Sequence, residues 1–227
     1  MNPKLMARYI AGSLLSLVGM GAGLFWPAGT LAWCPGWAAL AVMLGWMTGM
    51  TMVLIYIHPG LMAERMDRTK RGLRWDTVIV STISLTTLLR YITAGLDERF
   101  GWSSGIPLAA QLIALLVCLL GYALFTWATA SNPFFSNVVR IQTDRGHTVA
   151  SGGPYKTIRH PAYLGVILYE LSVSILLASW WALIPSLISV LLLVLRTALE
   201  DRTLKAELAG YADYASRVRW RLLPGIW

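Results

Sequence analysis

The stretch PLAAQLIALLVCLLGYALFTWATA, residues 107–130, runs 24 positions without a charged side chain. At 1.5 Å per residue, a helix of that length reaches roughly 36 Å, enough to cross about 30 Å of hydrocarbon. Comparable apolar runs stand at 9–26, 37–57, 77–96, 162–179 and 182–199. In lipid every backbone N–H and C=O must be paired within the protein, so only helices or closed barrels can span it. The period-two alternation of a barrel strand is absent. The chain therefore reads as all-α: a polytopic membrane helical bundle of about six transmembrane helices in one integral membrane domain, 1–227. Spans five and six are joined by only a few residues around Trp180 and Trp181, which predicts a helical hairpin.

Charge gives a second, independent reading of the topology. With the N-terminus in the cytoplasm, 17 of the 19 basic residues fall on the cytoplasmic side, leaving only Arg90 and Arg99 outside. The cytoplasmic set includes Arg65, Arg68, Lys70, Arg71 and Arg74 in one loop and Arg140, Arg145, Lys156 and Arg159 in another. That asymmetry is the positive-inside pattern, and it needs an even number of spans. Both termini are expected in the cytoplasm, with the protein in an inner membrane of bacterial type. Arg90, near the outer end of its span, can snorkel to the headgroups and is assigned no role. The net charge of +8 then becomes a property of one membrane face, suited to anionic lipid headgroups. No module accompanies it that would point to nucleic acid.

The first apolar segment follows Lys4 and Arg8 like a signal peptide, but no small-x-small cleavage site follows, so it reads as an uncleaved span. Two cysteines, Cys34 and Cys118, cannot build a disulfide framework or a four-ligand metal site. Three histidines, at 58, 147 and 160, lack the spacing of zinc ligands, and no metal is expected.

With 56% hydrophobic and 13% charged residues, polar groups are scarce, and where they gather against a span they point to chemistry. Residues 151–165 are the densest case: Ser-Gly-Gly-Pro-Tyr-Lys-Thr-Ile-Arg-His-Pro-Ala-Tyr-Leu-Gly. Gly153 and Pro154 make a turn. Pro161 suits the first turn of span five, which places His160 at its N-cap, where free N–H groups favour an anion. Arg159 adds a donor at the same place. At the end of span six, Arg196 and Glu200 stand four apart and are expected to pair on one helical face, with Asp201 beside them. Glu170 lies inside span five and reads either as a lining group of a substrate cavity, there a candidate base, or as a structural carboxyl. His147, in the long loop, is a candidate for closing the site. His58 opens a Pro-Gly turn after span two. Residues 200–214 read as an amphipathic cytoplasmic helix that Gly210 can interrupt, and the tail to Trp227 as a segment able to cover a pocket.

These residues together resemble a known family. Gly153-Pro154-Tyr155 followed by Arg159-His160-Pro161-x-Tyr163-x-Gly165 is similar to the cofactor motif of the isoprenylcysteine carboxyl methyltransferases and their phospholipid-methylating relatives. Arg196-x-x-x-Glu200-Asp201-x-x-Leu204 resembles that family's Arg-x-x-x-Glu-Glu-x-x-Leu element, with Asp201 one methylene short. Gly210-Tyr211-x-x-Tyr214 and Val218-x-x-Arg221-x-x-Pro224 resemble its closing segment. The resemblance covers roughly 140–227, dividing the chain into N-terminal transmembrane helices, 1–130, and a cofactor-binding methyltransferase core, 131–227. It implies S-adenosylmethionine at the cytoplasmic membrane edge and a lipophilic substrate entering from the bilayer. By matched position it implies that His160 and Tyr163 meet the methionine end. Gly153, Pro154 and Tyr155 would shape the pocket; Arg159, Arg196, Glu200 and Asp201 would anchor polar groups. An NADPH-dependent sterol or enone reductase shares a related ending, but Ala162 and Val166 replace the asparagine and acid of its central motif. A non-catalytic lipid-binding protein on the same fold is the other alternative.

Overall fold

A computed structural model describes residues 3–67 and 72–227. Arg68, Lys70 and Arg71 of the charge-sorting argument lie outside the described residues. Eight α-helices follow in order: α1 (Pro3–Ala28), α2 (Cys34–Met52), α3 (Pro59–Met66), α4 (Arg74–Phe100), α5 (Leu108–Ala130), α6 (Pro161–Leu176), α7 (Leu183–Glu207) and α8 (Tyr211–Arg217). A π-helical turn, Val53–Ile57, extends α2. Among the described residues there is no strand, only a single bridge between Ile158 and Trp220.

Among the described residues, five helices are long and apolar enough to cross a membrane: α1, α2 with its π-turn, α4, α5 and α7. The expected fifth span is shorter, since α6 has 16 residues. It folds back against α7 as a hairpin. Ser174 and Ser186, twelve positions apart, bring their hydroxyl oxygens to 2.9 Å, which only a reversal of the chain allows.

Six helices run between two ends, and the contacts sort them. At one end meet the C-terminus of α2, the N-termini of α4 and α6, and the C-termini of α5 and α7. His58 Nε2 lies 2.9 Å from the Ala130 carbonyl oxygen, Leu73 donates its N–H to Val139, and Arg159 pairs with Asp201. At the other end Asp97 takes hydrogen bonds from Ser103 and Ser179, and Gly29 sits beside Arg99. The loops that charge sorting assigns to one face thus share one end of the bundle.

The core between the ends is aromatic. Trp46, Tyr122 and Tyr169 stack in sequence, with ring centroids 4.7 and 4.2 Å apart. α5 and α6 cross in close contact. A methyl group on Gly165 would run into the Gly121 carbonyl oxygen, and one on Gly121 into that of Gly165. Two readings of the sequence are corrected here. The segment after His58 is not merely a turn, because Pro59 at the first helical position starts α3. Arg90 does not snorkel: it is fully buried and paired with Glu170. Snorkelling needs a path to the headgroups, and Tyr91 and Tyr169 cover the guanidinium instead.

Candidate functional site

A cavity of about 480 Å³ opens at the charged end of the bundle, within the range of ligand pockets. Its roof is the 132–150 loop, its walls are α4, α6 and α7, and its rim is completed by α8. The loop is tied down by side chains of its own and of α3. Gln142, almost fully buried, donates its amide to the Phe134 carbonyl at 2.6 Å. Arg65 donates to the Phe135 carbonyl at 3.1 Å and covers that ring. Burial holds the Arg65 guanidinium down to about 10. Arg140 bonds Glu64 through Nε at 2.8 Å and Asp144 at 3.0 Å.

The segment 153–163 forms the inner wall. Gly153 adopts a positive φ of 54°, and a side chain there would collide with Ser131. It starts a short 3₁₀ turn, Gly153–Lys156, whose Tyr155 faces the cavity. The Tyr155 carbonyl accepts a hydrogen bond from the Tyr214 hydroxyl at 2.7 Å. His160 is the N-cap of α6, and its own N–H donates to the Arg221 carbonyl at 2.9 Å. Arg159 donates its N–H to Trp220, and its guanidinium to the carbonyls of Val218 and Arg219. The tail therefore clamps the wall from behind.

Asp201 is the hub of that clamp. Fully buried, it accepts from Arg159 at 2.7 and 3.1 Å, Arg221 at 3.0 Å, Lys205 at 3.1 Å and the Tyr211 hydroxyl at 3.1 Å. Its shorter side chain is saturated there, so it stands behind the wall and does not border the cavity.

Of the residues singled out in the sequence, Tyr155, Arg159, His160, Tyr163, Arg196 and Glu200 border the one cavity, and His147 borders it from the loop. Gly153 and Pro154 support Tyr155 from outside it. Glu170 is two turns deeper in α6, paired with Arg90, and away from it. The expected Arg196–Glu200 pair does not form. Arg196 turns to Asp76 instead, at 2.7 and 3.3 Å, and lies over the Tyr163 ring. Glu200 takes a hydrogen bond from the Tyr163 hydroxyl. Glu200 is the only carboxylate bordering the cavity among the described residues, and no arginine pairs with it there.

Sequence reading missed Asp76, which also accepts the Val139 N–H at 2.8 Å. The available signal was an acid in the first turn of a span, where the helix dipole favours it. It also missed Asn132 and Gln142 on the roof, because a loop amide carries no periodic signal. The cavity has an apolar arm as well, made by Val80 and Ile83 of α4, Val166 of α6 and Leu193 of α7. One turn deeper, α4 and α7 are joined by a Thr86–Ser189 hydroxyl contact of 2.7 Å.

Comparison with known proteins bears on this cavity. A family model described as the isoprenylcysteine carboxyl methyltransferase family matches residues 112–206, less than half of the chain. The matched segment carries most of α5, the roof, α6 and α7 up to Ala206, the elements that build most of the cavity. The chain is also similar to a solved structure of the eukaryotic intramembrane Ras methyltransferase, without a monobody, at 17% identity and a TM-score of 0.49, covering 100% of this chain and 99% of that one. No curated protein matches the chain.

Proposed function

With residues 112–206 being isoprenylcysteine carboxyl methyltransferase-like, we propose that this integral membrane protein transfers a methyl group from S-adenosylmethionine to a lipophilic acceptor. The observation that carries the reading is the meeting of all three sequence motifs at one cavity that has both a polar chamber and an apolar arm. A carboxylate such as that of an isoprenylated cysteine is the acceptor type, with its chain in the arm and its head among the polar groups.

The residues present fit the cofactor chemically. S-adenosylmethionine carries an ammonium, a carboxylate and a sulfonium. Glu200, held by the Tyr163 hydroxyl rather than by a cation, offers a counter-charge to the positive groups. His160 and the first turn of α6 stand beside it for the methionine end. Tyr155 supplies an aromatic wall, while Gly153 and Pro154 set its position, and Asp201 does the same for Arg159. When bound, the cofactor supplies a methyl group already activated by its sulfonium, so the protein needs no covalent nucleophile. What the chain contributes is placement, which is worth on the order of 7–11 kcal/mol when two reactants are held in line. The roof 132–150 and α8 keep water from the chamber. The sorting of basic residues supports a cytoplasmic placement of the cavity and of both termini.

Equilibrium binding of labelled S-adenosylmethionine and of NADPH to the purified protein tests the reading. Binding of the first, with label passing from its methyl group into lipid or prenylated peptide, is the expected result. Binding of NADPH alone would replace it with a reductase, and binding of neither with a non-catalytic lipid-binding protein.

A further inference from the structure

Arg196 and Glu200 stand one turn apart on α7, the spacing at which opposite charges normally pair. They are kept apart by a residue from a distant part of the sequence. Asp76, at the start of α4 and fully buried, takes Arg196 Nε at 2.7 Å and Nη2 at 3.3 Å. The same guanidinium donates to the Asn137 carbonyl at 3.1 Å. Asp76 is itself fixed: Val139 donates its N–H to it at 2.8 Å, and the Val139 carbonyl accepts from Leu73. Two segments 63 positions apart are thereby stapled, with the carboxylate aimed at α7.

We infer that Asp76 is a positioning residue that holds Arg196 away from Glu200, keeping that cavity carboxylate available to a cationic group of the ligand. An arginine swung onto Glu200 would neutralise it and fill the space beside Tyr163. With Arg196 drawn to Asp76, the guanidinium instead lies over the Tyr163 ring, 5.2 Å from its centre, and the Tyr163 hydroxyl remains Glu200's partner. The device needs a full negative charge at position 76, since a neutral group could still take the Val139 N–H but would not hold Arg196 against a competing carboxylate.

This inference rests on the proposed cofactor only for its consequence, not for its geometry, so two readouts separate them. The first is carbodiimide labelling of Glu200 followed by mass spectrometry, which needs no ligand. In Asp76→Asn and in Asp76→Ser, which keeps an acceptor for Val139, labelling of Glu200 is expected to fall about tenfold as Arg196 pairs with it. It should return in the Asp76→Asn/Arg196→Gln double variant. The second is the dissociation constant for S-adenosylmethionine, expected to weaken about tenfold or more in the single variants and to recover partly in the double. Unchanged labelling in both single variants, or a double variant that stays protected, would overturn the inference. Should labelling follow the expected pattern while no form of the protein binds S-adenosylmethionine, the role of Asp76 stands and the proposed function falls.

Discussion

Two arginine–carboxylate pairs tie α4 to its neighbours, and they lead opposite lives. In Asp76–Arg196 the arginine borders the cavity, with the Glu200 carboxylate, the Tyr163 hydroxyl and open volume beside it. Arg90–Glu170, in the middle of the bundle, is sealed by Tyr91, Tyr169 and Tyr122, and α6 and α7 pack around it. Read as sequence, the deeper pair is the more arresting, because a glutamate inside an apolar span invites a catalytic role. In the folded protein it is buried, paired with Arg90 and not part of the cavity wall. What separates a site from a structural pair is open volume beside the charge; burial alone does not make one.

The largest effect follows from the sealed pair. Glu170→Ala leaves a guanidinium buried without a counter-charge, which costs about 3–5 kcal/mol, whereas Arg90→Met together with Glu170→Leu should return most of it. Thermal unfolding in detergent reads both. The folded fraction of Glu170→Ala should still bind S-adenosylmethionine with parental affinity. If stability holds while methyl transfer collapses, Glu170 acts on the reaction and the contrast between the two pairs fails.

The cavity-side counterpart is Glu200→Gln. Here stability should barely move, because the carboxylate is served by one hydroxyl beside open space. Affinity for S-adenosylmethionine should drop by about 1.5–3 kcal/mol, the worth of a hydrogen-bonded contact to a charged group. Titration calorimetry on parent and variant reads it directly. A variant that loses stability and keeps affinity would reverse the assignment of the two regions.

How far the sequence carried this picture depends on range. Spans and the hairpin are local properties of composition and length, and the helices appear where apolar runs stand. Boundaries drifted where a proline or glycine acts: Pro59 begins α3, and Gly210, with φ of 78°, separates α7 from α8. Within the site, the residues at 155–163 could be gathered because one turn and one helix start carry them. Arg196 and Glu200 could be placed on the right helix, but their pairing could not be read, since the group that decides it lies 120 positions away. Asp201 looked like a ligand residue for the same reason. Its partners Arg159, Arg221 and Lys205 come together only in the fold.

Between the two regions, helix spacing sets how well either can work. Gly165 and Gly121 let α5 and α6 touch backbone to backbone, with the cavity at one end of α6 and the sealed pair toward the other. Gly165→Ala should cost about 1–3 kcal/mol through overpacking. By prising α6 from α5 it should also lower S-adenosylmethionine affinity several-fold, since Tyr163 sits two residues away. A loss of stability with affinity intact would mean that the cavity does not depend on this crossing.

The smallest effect concerns protons, which reach the roof loop more readily than a sealed pair. His147 is partly buried against Phe134, with ring centroids 4.7 Å apart, and its Nδ1 accepts the Gln142 N–H at 3.3 Å. Burial, followed by the Arg140 and Arg145 guanidinium groups, holds its pKa below the ordinary 6.5. Just below pH 6.5 the unfolded chain therefore takes up a proton that the folded one refuses, and stability falls as the solution is acidified. Protonation would also remove the acceptor that Gln142 uses, loosening the roof. Thermal midpoints measured from pH 7.5 down to 5 should decline more steeply for the parent than for His147→Gln, which cannot titrate. S-adenosylmethionine affinity should follow the same order, because the roof and the chamber share the loop. Parallel curves for the two proteins would place the acid sensitivity elsewhere and leave the roof loop as inert to protons as the core.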